Sequence, residues 1–150
     1  MMAESNKLVK ILLVEDNLDD IVIAQKAFKE AKLVNPLFVV RDGEEALEFL
    51  HQRGRYQNGA ASPRPNLILL DINIPKVNGL EVLAHVKHDP ELRRIPVIML
   101  TSSRRDQDVV TGYTNGCNSF LQKPVEFERF VELVKQVGLY WGLLNVPPTN

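Results

Sequence analysis

Six polar residues stand where short apolar runs stop: Glu15 and Asp16 after 11–14, Asp71 after 67–70, Thr101 and Ser102 after 96–100, and Lys123 after 120–122. Three carboxylates, two hydroxyls and one ammonium share a single chemistry if the chain brings them together. Carboxylates crowded at one point repel one another, and the usual remedy is a hard divalent cation with oxygen ligands. Mg²⁺ suits such a set best, because it takes few carboxylates, keeps several waters and is commonly completed by phosphate oxygens. Asp71 is then placed to attack a phosphoryl group. Phosphoryl transfer needs mainly positioning and neutralisation of charge on the moving oxygens, which the cation, the Lys123 ammonium and the Thr101 hydroxyl would supply.

The elements that must position these residues follow from the rhythm of the chain. Apolar runs at 11–14, 37–40, 67–70, 96–100 and 120–122 alternate with longer amphipathic segments, the pattern of helices wound around a parallel sheet. The first helix carries Ile21, Ala24, Ala27, Phe28 and Ala31 at helical spacing, with Asp19 as its expected cap. The second starts near Gly43 and carries Ala46, Leu47 and Leu50. Residues 53–66, rich in Gly, Pro, Asn and Arg, read as a long surface loop. The run 67–70 is uniformly apolar and reads as a central strand buried on both faces. Pro75, Asn78 and Gly79 form a turn into a helix through Val82, Leu83 and Val86 that breaks at Asp89-Pro90. Residues 106–114 have few apolar anchors (Val109, Val110, Tyr113) and a central Gly112, so loose packing is expected there. A last helix is expected over 126–141, with Phe127, Phe130, Val131, Val134 and Val137 on its apolar side. In such a sheet, ligands bind beyond the carboxyl ends of the strands where the strand order reverses, and all six polar residues fall at that edge.

The 150 residues, 45% of them hydrophobic, suffice for one core. A formal net charge of −1 with no long run of either sign argues against direct nucleic acid binding. The apolar runs are far shorter than the roughly 20 residues needed to cross a bilayer, and the polar start of the chain does not resemble a signal peptide. The lone Cys117 fits a reducing compartment, so a cytoplasmic protein is expected.

The stretches ILLVEDN (11–17), LILLDINIPKVNGLEVL (67–83), IPVIMLTSS (95–103) and FLQKP (120–124) resemble, in order and spacing, the receiver domain of bacterial response regulators. That resemblance implies an α/β, doubly wound five-stranded parallel sheet of order 2-1-3-4-5, the flavodoxin-like or CheY-like arrangement. It implies a receiver over 9–144 with tails at 1–8 and 145–150. By resemblance Asp71 is the phosphoacceptor, Asp16 a direct metal ligand, Glu15 a ligand through water and Asn73 a ligand through its backbone carbonyl. Mg²⁺ is the implied ion, with Mn²⁺ or Ca²⁺ able to substitute. Thr101, Ser102 and Lys123 would serve the phosphoryl oxygens. Phe120 occupies the switch position, where an aromatic ring turns inward as Thr101 moves toward the phosphate. The Lys123-Pro124 bond is often cis in this family, and Asn73 and Ser103 are positions that tune the lifetime of the phosphorylated state.

A narrower resemblance is to small regulators paired with cyanobacterial phytochromes. It rests on the loop 53–66, the segment HDPELRRIPVIMLTSS (88–103) and the end containing Tyr140 and Trp141. It implies a sensor histidine kinase of phytochrome type as partner, and a homodimer through strand five and the last helix. The last helix also carries more apolar residues than one buried stripe requires, which favours an interface.

Other readings of the same residues are weaker. A phosphatase of the haloacid dehalogenase type has a second Asp two residues after its nucleophile, where this chain has Asn73. A nucleotide or flavin protein would show GxGxxG or a P-loop after the first strand, and neither is present. A scaffold that is never phosphorylated leaves the complete acceptor set unexplained. His51, His85 and His88 lack metal-ligand spacing and read as solvated, Cys117 as inert, and Asp19 and Asp20 as helix-dipole partners.

Overall fold

The computed structural model describes residues 8–57, 63–114, 119–139 and 142. Five strands, β1 (Ile11–Val14), β2 (Leu37–Val40), β3 (Leu67–Asp71), β4 (Val97–Thr101) and β5 (Ser119–Gln122), alternate with five helices. These are α1 (Leu18–Glu30), α2 (Gly43–His51), α3 (Gly79–His88), α4 (Arg104–Thr114) and α5 (Phe127–Gln136). All strand pairs are parallel, in the order β2-β1-β3-β4-β5. The order reverses between β1 and β3, where Val14 is in register with Leu70.

Side chains alternate across the sheet and build two separate cores. Leu12, Val14, Ile68, Leu70, Val97 and Met99 pack with Ala46, Phe49, Val82, Val86 and Val110 from α2, α3 and α4. Ile11, Leu13, Leu67, Leu69, Ile98 and Leu100 pack with Ala24, Phe28, Phe130, Leu133 and Val134 from α1 and α5. β1, β3 and β4 are buried at every position, as the uniformly apolar central run implies.

Several helix ends differ from the sequence expectations, each for a local reason. α1 begins one residue after Asn17, whose side chain accepts from the Asp20 N–H at 3.0 Å, so Asn17 and not Asp19 is the cap. α4 begins at Arg104, two residues earlier than expected, because the Asp106 N–H donates to Ser103 Oγ at 3.2 Å while Asp106 accepts from the Ser102 N–H at 2.8 Å. α5 ends at Gln136 instead of continuing to 141. Gly138 adopts φ +80°, and its N–H and that of Leu139 donate to the carbonyls of Lys135 and Val134, closing a Schellman motif.

The exposed face of α5 is polar, carrying Glu128, Arg129, Glu132, Lys135 and Gln136, while Phe127 and Val131 are half-buried against the second core. The apolar excess expected of this helix therefore goes inward. Among the described residues, the exposed large apolar side chains are Leu18, Val22 and Ile23 on α1, with Val34 and Val109. Among the described side chains of α4, Val110 alone is fully buried. Cys117, Tyr140, Trp141, the side chain of Tyr113 and the segments 1–7 and 143–150 lie outside the described residues. No helix among the described residues is long and apolar enough to cross a membrane.

The connection from β3 to α3 lies directly on backbone at two glycines. A Cβ at Gly43 would overlap the Val77 carbonyl, and the Gly43 N–H donates to Pro75 O at 3.1 Å. A Cβ on Gly79 would stand 2.2 Å from Asp71 O. Gly43→Ala is expected to lower stability by about 1–3 kcal/mol, the usual cost of forcing an overpacked contact, read as a lower urea midpoint at unchanged slope.

Candidate functional site

The carboxyl ends of β1, β3, β4 and β5 bring Glu15, Asp16, Asp71, Thr101 and Lys123 to the edge where the strand order reverses. Parallel pairing makes this unavoidable, since strands in register must end on the same side. Asp71 is the last residue of the central strand and only 4% exposed. Glu15, immediately after β1, is 1% exposed, and Asp16 beside it is half-buried. Ligand oxygens of all three carboxylates lie within 4.8 Å of one another.

Lys123 holds this cluster together. Its Nζ lies 3.0 Å from Glu15 Oε1, 3.0 Å from Asp20 Oδ2 and 3.1 Å from Asp71 Oδ2, with the side chain 13% exposed. The lysine is aimed there by the turn after β5, where its N–H donates to Thr101 O at 2.8 Å and the following Lys123-Pro124 peptide is cis. Loss of solvent alone would lower the pKa of this ammonium, but its hydrogen bonds to Asp20 and Glu15 and the charges of Asp71 and Glu15 outweigh that and raise it. Glu15 moves the other way from an ordinary carboxyl. Burial, then a shared hydrogen bond and charge repulsion with Asp71, push it up to about 7 against the relief given by Lys123 and the Asn17 N–H.

The Thr101 hydroxyl, at the end of β4 and fully buried, has no hydrogen-bond partner among the described residues. Thr101 lies one residue beyond Leu100, the register partner of Asp71. A donor left unsatisfied at this depth is costly unless something else accepts from it. The site therefore has a carboxylate excess and a spare buried hydroxyl. A hard divalent cation with oxygen-rich surroundings fits the first, and an anionic oxygen fits the second.

The remaining expected residues are arranged less tightly. Asn73 is exposed, and its N–H reaches Asp71 Oδ1 at 3.4 Å. Ser102 is exposed, with its N–H committed to Asp106. Phe120 is half-buried against the core on the α2–α3–α4 side and lines a depression of about 310 Å³ with Gln107, Gln122, Arg129 and Leu133. Asp20, expected to serve the helix dipole, turns its carboxylate to Lys123 instead. The signal was present in Asn17: with the cap there, Asp20 sits one turn into α1 and is free to turn toward the strand ends. Two of the histidines also differ from expectation: His51 is half-buried against His85, whereas His88 is exposed as expected, with its Nδ1 2.7 Å from Ala84 O.

Residues 11–135 match the family model described as the response regulator receiver domain. The chain is 43% identical over 141 residues to the response regulator Rcp1 of Synechocystis, covering 94% of each chain. It is similar to the solved bacteriophytochrome response regulator AtBRR, with a TM-score of 0.85 and 47% identity over 93% of this chain and 99% of that one. It is also similar to the Mn²⁺-bound form of Rcp1, with a TM-score of 0.69 and 40% identity over 94% and 99%. A divalent ion in that relative and the buried acidic cluster here agree with divalent metal binding.

The raised pKa of Glu15 sets a pH dependence. Without metal, the folded chain takes up a proton on Glu15 near pH 7 that the unfolded chain binds only near 4.5, so this group favours folding at low pH and ceases to do so as pH rises through 7. A cation must displace that proton, so divalent affinity should fall up to about tenfold per unit below pH 7. Titrating Mg²⁺ by thermal shift at stepped pH checks this, and Glu15→Gln should flatten the slope.

Proposed function

The chain belongs to the response regulator receiver domain family, and on that premise we propose that it accepts a phosphoryl group on Asp71 from a sensor histidine kinase and signals by contact with other proteins. The observation that carries this reading is the setting of Asp71. It is a sheltered carboxylate at the end of the central strand, with an ammonium 3.1 Å away and an unpartnered hydroxyl on the next strand. In the transfer, a carboxylate oxygen of Asp71 attacks the phosphorus of a phosphohistidine. The new P–O bond forms as the P–N bond breaks, and the imidazole leaves. Such a step asks the protein for placement and charge neutralisation and little else.

Glu15, Asp16, Asp71 and the Asn73 carbonyl are the residues that would hold Mg²⁺, with Mn²⁺ or Ca²⁺ able to replace it. When bound, the ion supplies positive charge to the phosphoryl oxygens. Lys123 would turn from three carboxylates toward those oxygens, and the Thr101 hydroxyl would donate to one of them, with Ser102 at the rim. Drawing Thr101 toward the phosphate opens room beside β4 for Phe120 to turn inward, which would alter the α4–β5–α5 face. Phenylalanine has no hydroxyl, so readout of that motion rests on packing. The protein is then a phosphoacceptor, with self-phosphorylation and self-dephosphorylation as its only chemistry, and no turnover of outside substrates.

Likeness to a bacteriophytochrome response regulator supports a phytochrome-type kinase as the partner, and the lone cysteine supports a cytoplasmic site of action. We place the receiver unit at 9–144 between tails at 1–8 and 145–150. A homodimer through β5 and α5 would be joined by the charged face of α5 rather than by an apolar one. Its association should therefore weaken with salt, and light scattering at tens of micromolar in low and high salt reads this out. A strict monomer in both sinks the dimer.

Incubation with acetyl phosphate and Mg²⁺, followed by intact mass, should show one added phosphoryl group. Asp71→Asn or removal of Mg²⁺ should abolish the gain, while Thr101→Ala should slow it by about a hundred- to a thousandfold, the range for losing one transition-state donor. No gain in the wild type, under conditions where another receiver is modified, removes this reading.

A further inference from the structure

At the opposite edge of the sheet, the described residues hold a second convergence of metal-ligating atoms. Each helix returns antiparallel to the strand before it, so the carboxyl ends of α2 and α3 lie away from Asp71. There His51, the last residue of α2, meets His85 in the last turn of α3 and Asp89, the α3 C-cap. One ligand atom from each lies within 4.8 Å of the others. The geometry points to a metal site built from His51, His85 and Asp89 that takes Zn²⁺ or a neighbouring first-row divalent ion, with water as the fourth ligand.

The two imidazoles carry the argument. His51 Nε2 and His85 Nε2 are 2.7 Å apart, with the rings nearly perpendicular at 89°. Only one hydrogen fits between them, so one ring donates, the other accepts, and both nitrogens face the same point. Two nitrogens on a tetrahedral Zn²⁺, each about 2.0–2.1 Å from it, stand about 3.3 Å apart. Replacing the shared hydrogen by the ion therefore opens the pair by about 0.6 Å, within reach of side-chain rotation. The carboxylate is prepared as well. Asp89 Oδ1 caps the next turn by accepting from the Glu91 and Leu92 N–H groups at 2.8 and 3.1 Å, while Oδ2 faces His51 Nε2 at 3.7 Å. One oxygen fixes the side chain, and the other is left to ligate.

The surroundings suit a cation of this kind. His51 and Asp89 side chains are each 19% exposed, and two helix carboxyl ends point their negative dipole ends at the cluster. Two arginine charges reach His51, those of Arg53 and Arg64, and Arg64 is drawn off by Leu50 O at 3.2 Å and Glu91 Oε2 at 3.8 Å. Two imidazoles and one carboxylate favour Zn²⁺, Ni²⁺ or Cu²⁺ over Mg²⁺, which separates this cluster chemically from the acidic one. An ion here would pin α2 to α3 at the start of the loop 53–66.

Zn²⁺ is titrated against a chromophoric chelator with Mg²⁺ in large excess to occupy the acidic cluster. Wild type should take one equivalent with a Kd of about 1 µM or tighter, and Co²⁺ in its place should give the visible bands of a tetrahedral N/O site. His51→Gln with His85→Gln should lose at least about a hundredfold in affinity, and Asp89→Asn, which keeps the Oδ1 cap, about tenfold. Unchanged Zn²⁺ affinity and Co²⁺ spectrum in Asp89→Asn and in the folded double variant would overturn the site, as would absence of binding to the wild type. Phosphorylation from acetyl phosphate should proceed normally in both variants, which separates failure here from failure of the receiver reading.

Discussion

Two buried carboxylates at strand ends and a third on the neighbouring helix are held in one place by a single ammonium. Lys123 contacts Glu15, Asp20 and Asp71 at 3.0–3.1 Å, and removing it would leave buried negative charge with nothing to oppose it. The charge ratio remains unfavourable, as the upward push on Glu15 records. A site that is short of positive charge and has a spare hydroxyl at Thr101 is one to which a divalent cation and a phosphoryl group each add what is missing. The ground state of the chain is thus arranged around partners that arrive later.

The fold supplies this arrangement without placing any of the groups on a long loop. Every strand that carries a site residue is central or has neighbours packed on both faces, so Asp71 and Thr101 are positioned by buried backbone. The segment after Asp71 is pressed onto Gly43 and Gly79, which leaves it little freedom to move away. The contrast is α4, where Val110 is the one buried side chain among those described, with Phe120 on the strand beside it only half-buried. A rigid acceptor edge beside a half-buried aromatic is the division of labour that a charge-driven switch needs.

The two ends of the sheet also differ in chemistry. At the acceptor edge, hard carboxylate oxygens gather at strand ends. At the other, imidazoles and a carboxylate gather at helix ends, with the Asp89 cap serving both the turn and the cluster. The same antiparallel return of each helix separates the two sets, so a cation's preference for oxygen or nitrogen would sort it to one edge or the other.

Much of this was legible in the residues. Uniform apolar runs ending in Asp71 and Thr101 specify buried parallel strands, and parallel strands in register must end together, so the acceptor edge follows from pattern and topology rules. The cap at Asn17 and the helix stop at Gly138 were written in residue types too, and needed only the competing cap or the glycine to be weighed. What the tertiary structure decided concerns distances between residues far apart in the chain. Asp20 reaches Lys123, Thr101 is left unpartnered, the apolar residues of α5 turn inward, and His51 meets His85. None of these has a periodicity to read, because each depends on how two elements pack side by side, and packing is set by the summed shapes of whole cores.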